Sequence, residues 1–160
     1  YPQITFLKCG SNFQNAVKGA DIVVTATSSQ EQLLQTDWIE PGMLYIHVGG
    51  VEDEYGVVKR ADKIVCDDWE AVKHRAQTIS RMYQEGYLED KDIYANLCEI
   101  IQGERPGRED DKEFIYFDSV GLATIDIYLA YQIYQAAQKE NIGEYVDLEN
   151  VVHVDYSKYI

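Results

Sequence analysis

The stretch ADIVVTATSS, Ala20–Ser29, decides the fold class. Ile22, Val23, Val24 and Thr25 are all β-branched and show no polar alternation. Such a run suits a strand covered on both faces, as in a parallel sheet flanked by helices. MLYIHVGG (Met43–Gly50) and ADKIVCDD (Ala61–Asp68) read the same way, and FIYF (Phe114–Phe117) adds a short strand. ITFLKC (Ile4–Cys9) gives a further strand signal at the start. Between them lie helical patterns. NFQNAVKGA predicts a short helix presenting Phe13, Ala16 and Val17, with Gly19 at its C-terminal stop. LLQTDWIEPG is a brief helical or irregular stretch ended by Pro41-Gly42. Residues 69–103 read as helical with a break near Gly86, and DIYANLCEIIQG sets Ile93, Leu97, Ile100 and Ile101 at helical spacing. ERPGREDDKE is a charged loop. SVGLATIDIYLAYQIYQAAQ predicts a long amphipathic helix whose apolar face runs Leu122, Ile125, Leu129, Ile133 and Ala136, and VVHV (Val151–Val154) is a candidate strand. Strands alternating with helices argue for a parallel α/β sheet.

Composition narrows the function classes. The chain has 160 residues, 46% hydrophobic and 26% charged, which is ordinary for a globular domain. Its net charge of −14, from 28 acidic and 14 basic residues, repels nucleic acid and anionic membranes. No apolar run reaches the roughly 18 residues that would cross a bilayer. Cys9, Cys66 and Cys98 are odd in number and lack CxxC spacing, so they read as buried thiols in a reducing cytosol. His47, His74 and His153 are scattered, and no metal site is expected.

Ligands of open parallel sheets bind beyond the carboxyl ends of the strands. TATSS, HVGG and FDSVG all end strands in small or hydroxyl residues, which let a ligand approach the backbone. Ser119 and Gly121 precede the long helix, where free N–H groups would favour a carboxamide or carboxylate. Gly-x-Gly-x-x-Gly, GxxxxGK[ST], HExxH and GxSxG are all missing, so a nucleotide site within these residues is incomplete.

The segments KGADIVVTATSS, DWIEPGMLYIHVGG, RADKIVCDDWEAV, EIIQGERPGR and FDSVGLATIDIYLAYQIY occur in the order and spacing of one family. Over roughly residues 16–137 the chain resembles the ornithine cyclodeaminase/mu-crystallin family. The resemblance implies an α/β fold: a Rossmann-type parallel sheet with flanking helices, here an incomplete portion of a larger two-domain protein. Residues 1–120 would be part of the NAD(P)-binding domain, with ITFLKC as a middle strand. Residues 121–160 would form the long helix and tail returning to a substrate and dimerisation domain. The glycine fingerprint and the ribose-binding acid would lie upstream of Tyr1.

By the same resemblance, the cofactor is NAD or NADP. It would touch Ala26, Thr27 and Ser28 at one strand end and Val48 and Gly49 beside the nicotinamide, with Ser119 on the carboxamide. A cytoplasmic homodimer acting on a small amino-acid substrate is implied. Cyclodeaminase members carry Gly-Gly-Asp-x-Pro-Gly-Lys at the second of these strand exits, and the Asp handles the substrate amine. This chain has Gly49-Gly50-Val51-Glu52-Asp53 there. A one- or two-residue shift of the loop would bring Glu52 or Asp53 to the carboxylate's place, which makes both candidate catalytic residues. Three activities remain open. One is an amino-acid dehydrogenase or imine reductase working by hydride transfer. The others are an ornithine cyclodeaminase and a non-catalytic small-ligand binding protein.

Overall fold

The structure, a computed structural model, describes residues 2–146, and the strand expected at VVHV lies outside them. Five strands are found among the described residues: β1 (Ile22–Thr25), β2 (Leu44–His47), β3 (Lys63–Cys66), β4 (Ala95–Asn96) and β5 (Ile115–Asp118). All pair in parallel, in the order β1-β2-β5-β3-β4. β5, the last of these five in sequence, therefore sits in the middle, bonded to β2 on one side and β3 on the other. The helices are α1 (Phe13–Val17), α2 (Tyr55–Lys59), α3 (Trp69–Val72), α4 (Thr78–Gln84), α5 (Leu97–Ile101) and α6 (Ala123–Glu140). The chain divides into two compact units, Tyr1–Gly121 and Leu122–Ile160.

Local chemistry explains the short helices. The Asn12 side chain accepts the Asn15 N–H at the start of α1, and the Asp68 carboxylate accepts the Glu70 N–H at the start of α3. Asn96 donates its N–H to Glu99 and accepts the Trp69 N–H on its side chain, tying α5 to α3. Gly42 turns with φ of +85° against the Asp111 carbonyl, which a side chain there would strike.

The core of the first unit forms on one face of the sheet. Val23, Tyr45, Ile64, Cys66 and Tyr116 pack there with Met43, Val57, Val58, Val72, Ile79 and Met82. Each large apolar side chain so buried stabilises the fold by roughly 1.5–3 kcal/mol before entropy is subtracted. Tyr45 and Tyr116 meet edge to face, with ring centroids 5.2 Å apart. The opposite face is more open. α5 covers part of it, leaving an apolar groove of about 230 Å³ lined by Leu44, Ile46, Val65, Leu97, Ile100 and Phe117.

Several expectations are corrected. β3 is buried along its whole length, as its composition suggests, but β1 is not. Only Val23 of β1 is buried, and Ile22 and Val24 are 58% and 57% exposed, because β1 is an edge strand facing little on that side. ITFLKC forms no strand; Ile4, Phe6 and Leu7 are exposed and no neighbouring strand offers a ladder. Ile93 lies before β4, not in a helix, and α5 begins only at Leu97. None of the described residues of α6 is buried, including Ile125, Leu129 and Ile133 of its apolar face. Cys66 is buried, but Cys9 and Cys98 are exposed, contrary to the expectation for all three thiols.

Candidate functional site

β1, β2 and β5 are consecutive parallel neighbours, so the exits TATSS, HVGG and FDSVG reach one edge of the sheet. Glu52 ties two of them together. Its carboxylate is fully buried and accepts the Thr27 N–H at 2.7 Å, the Thr27 hydroxyl, and the Gly49 N–H at 3.1 Å. Burial by itself would raise its pKa, but the bonds from Thr27 outweigh this and hold it below the ordinary glutamate value. Gly49 must be glycine for the same reason: a Cβ there would overlap the Glu52 carboxylate. A side chain at Gly50 would meet open space.

Beneath these loops lies a buried polar cluster that the sequence reading missed. His47 ends β2 and Asp118 ends β5, and the two are in register. His47 Nδ1 is 2.8 Å from Asp118 Oδ2, while Nε2 faces Asp53 Oδ1 at 3.5 Å and Glu52 Oε2 at 3.8 Å. Asp53 Oδ1 accepts the Thr78 hydroxyl at 2.7 Å and, more weakly, the Tyr116 hydroxyl at 3.4 Å. Burial pushes the Asp53 carboxyl up to about 6 against the pull of His47 and Thr78. Burial likewise raises Asp118, opposed by its bond to His47. For His47, burial disfavours the charge, but the bond and charge of Asp118 prevail and raise its pKa.

Gln77, just before α4, joins the β2 and β5 exits. Its Nε2 donates to the carbonyls of Gly49 and Ser119, both at 3.1 Å. Among the described residues, four buried side-chain polar atoms have no partner: His47 Nε2, Asp53 Oδ2, Gln77 Oε1 and Asp118 Oδ1. All four belong to this region. The signal available in the sequence was a polar residue closing each of two buried strands, His47 and Asp118.

The candidate residues fall into different environments. Ala26, Thr27 and Ser28 are exposed at the β1 exit, although the Thr27 N–H and hydroxyl are engaged by Glu52. Val48 is 44% exposed and presents an apolar surface beside Gly49. Ser119 is half-buried. It does not cap α6, which begins at Ala123 after Leu122 with no side-chain cap bond. The N–H groups expected to be free are not: Ser119 donates its own to the His47 carbonyl and Gly121 donates to Asp67. Glu52 and Asp53 are both fully buried, and Val51 is nearly so. No cluster of three or more metal-ligating side chains occurs among the described residues. No helix among them is long and apolar enough to cross a membrane.

Comparison with known proteins covers nearly all of the described chain. The model of the ornithine cyclodeaminase/mu-crystallin family matches residues 4–141. N-((2S)-2-amino-2-carboxyethyl)-L-glutamate dehydrogenase of Staphylococcus aureus is 34% identical over 147 residues, which are 92% of this chain and 44% of that protein. The structure of Thermococcus litoralis Delta(1)-pyrroline-2-carboxylate reductase, in complex with NADH and L-proline, superimposes with a TM-score of 0.76 at 32% identity. That match covers 83% of this chain and 42% of that one. An archaeal alanine dehydrogenase dimer with bound NAD gives a TM-score of 0.74 at 32% identity, covering 84% of this chain and 43% of that one. The chain thus spans rather less than half the length of these relatives.

Proposed function

The chain belongs to the ornithine cyclodeaminase/mu-crystallin family, and from that premise we propose that it forms the nicotinamide side of an NAD(P)-dependent oxidoreductase acting on an α-amino or α-imino acid. Residues 1–120 are assigned to the cofactor domain, and 121–160 to the part that returns to a substrate and dimerisation domain. The natural protein is read as a cytoplasmic homodimer, in keeping with the dimeric alanine dehydrogenase it resembles.

The residues at the sheet edge fit a nicotinamide. Val48 offers an apolar surface for the ring, and the half-buried Ser119 a hydroxyl for the carboxamide. Ala26, Thr27 and Ser28 would line the cofactor at the β1 exit. When bound, the nicotinamide supplies or takes the hydride at the substrate α-carbon. This chain's own part is orientation. Glu52 locks the β1 exit to the β2 exit, and Gln77 locks β2 to β5.

The burial of Glu52 and Asp53 is the observation that favours redox chemistry over the cyclodeaminase alternative. A cyclodeaminase needs a carboxylate in contact with the substrate amine. Both carboxylates here are enclosed, and Glu52 already holds two backbone N–H groups. We therefore assign Glu52 to positioning and Asp53 to the buried cluster. The natural full-length protein, incubated with NADH or NADPH and a panel of cyclic imino acids and 2-oxo acids with amines, is expected to oxidise the cofactor. With L-ornithine and NAD⁺ it should release no ammonia. Proline and ammonia without net NADH would transfer the assignment to cyclodeaminase. Cofactor binding with no turnover of any amino or imino acid would transfer it to a binding protein.

A further inference from the structure

Each of the three polar atoms of Ser119 has a hydrogen-bond partner. Its N–H donates to the His47 carbonyl at 2.9 Å, and its own carbonyl accepts from Gln77 Nε2 at 3.1 Å. Its hydroxyl is 3.0 Å from Asp67 Oδ2. Asp67 is itself buried and fixed on both oxygens. Oδ1 accepts the Asp68 N–H at 2.8 Å, and Oδ2 accepts the Gly121 N–H, also at 2.8 Å. A carboxylate accepts hydrogen bonds and has none to give, whereas a serine hydroxyl has a single proton. The proton on Ser119 Oγ therefore points to Asp67, and the hydrogen-bonding capacity left to Oγ is that of its lone pairs.

We propose that Asp67 is a positioning residue that fixes the Ser119 hydroxyl as an obligate acceptor, so that this site selects a ligand by an N–H donor. Resting on the cofactor reading above, that donor is the amino group of the nicotinamide carboxamide. A freely rotating serine would accept from the amino group or donate to the carbonyl with equal ease. The Asp67-held serine does only the first, so the carboxamide is oriented with its amino group toward β5. The orientation of the ring attached to it follows from that choice.

The experiment uses the natural full-length protein and two reduced cofactors, the ordinary one and its 3-acetylpyridine analogue. The analogue replaces the carboxamide amino group with a methyl and keeps the carbonyl. Binding is read by fluorescence, without turnover. Wild-type protein is expected to bind the analogue about tenfold more weakly, the effect of one lost hydrogen bond at a half-buried acceptor. Ser119→Ala should weaken the ordinary cofactor and bring the two affinities together. Asp67→Ala frees the hydroxyl to turn and donate, so it too should reduce the discrimination while leaving Ser119 in contact. Circular dichroism reports whether that variant folds; if it does not, the wild-type and Ser119→Ala ratios decide alone. Equal wild-type affinities, with Ser119→Ala weakening both cofactors, would overturn the role of Asp67 and leave the cofactor reading standing. Ordinary binding by Ser119→Ala would instead remove Ser119 from the cofactor site and overturn both.

Discussion

Gly49 and Glu52 behave as one unit, because the missing side chain of one makes room for the carboxylate of the other. Glu52→Ala is expected to destabilise the protein by about 2–3 kcal/mol, since it strips buried N–H groups of a partner. Gly49→Ala should cost about 1–3 kcal/mol through overlap. In the double variant the two costs should sum to clearly less, a coupling that chemical denaturation of the four proteins measures. The buried Asp53 makes a different demand. Its pKa, pushed from 3.8 up to about 6, means that the folded state holds a proton which the unfolded state releases. Stability contributed by this group is full below about pH 4 and is lost as pH rises toward and through about 6, by roughly 3 kcal/mol. The raised pKa of His47 acts in the same direction, whereas the lowered pKa of Glu52 opposes it at the acid end. Asp53→Asn keeps an acceptor for Thr78 but cannot ionise. Its unfolding temperature, followed from pH 4 to 7, should fall less than that of the wild type.

Strand β1 separates what apolar composition can say from what it cannot. Val23 and Val24 are chemically identical neighbours, yet one is buried and the other exposed. Val23→Ala should cost about 2 kcal/mol through an unfilled space. Val24→Ala should stay within about 0.5 kcal/mol. Equal losses at the two positions would mean that the exposed face is covered after all. A β-branched run specifies a strand, and the sequence reading located β1, β2, β3 and β5 correctly. It does not specify how many faces are covered, because that depends on what packs above, not on the strand. The same limit explains ITFLKC, whose residues favour a strand but lack a neighbour to bond. It explains β4 as well, two residues long and too short to interrupt the helical periodicity around it.

At the scale of the molecule, the order of five short motifs was enough to identify the family, and the parallel sheet brings three of the strand exits to one edge. The buried cluster beneath that edge was not legible. His47 and Asp118 are 71 residues apart in sequence, and only the return of β5 to the middle of the sheet makes them neighbours. That return has a consequence for how the protein is made. Before Ile115–Asp118 has left the ribosome, β1 can pair with β2 and β3 with β4, but nothing joins the two pairs. The keystone strand is made after the other four described strands and inserts between their two edges, closing both ladders and the His47–Asp118 contact together. These pairings are non-local in sequence, the kind of contact that forms slowly. Until then the nascent chain exposes two open sheet edges, the state in which chaperones protect a polypeptide from aggregation.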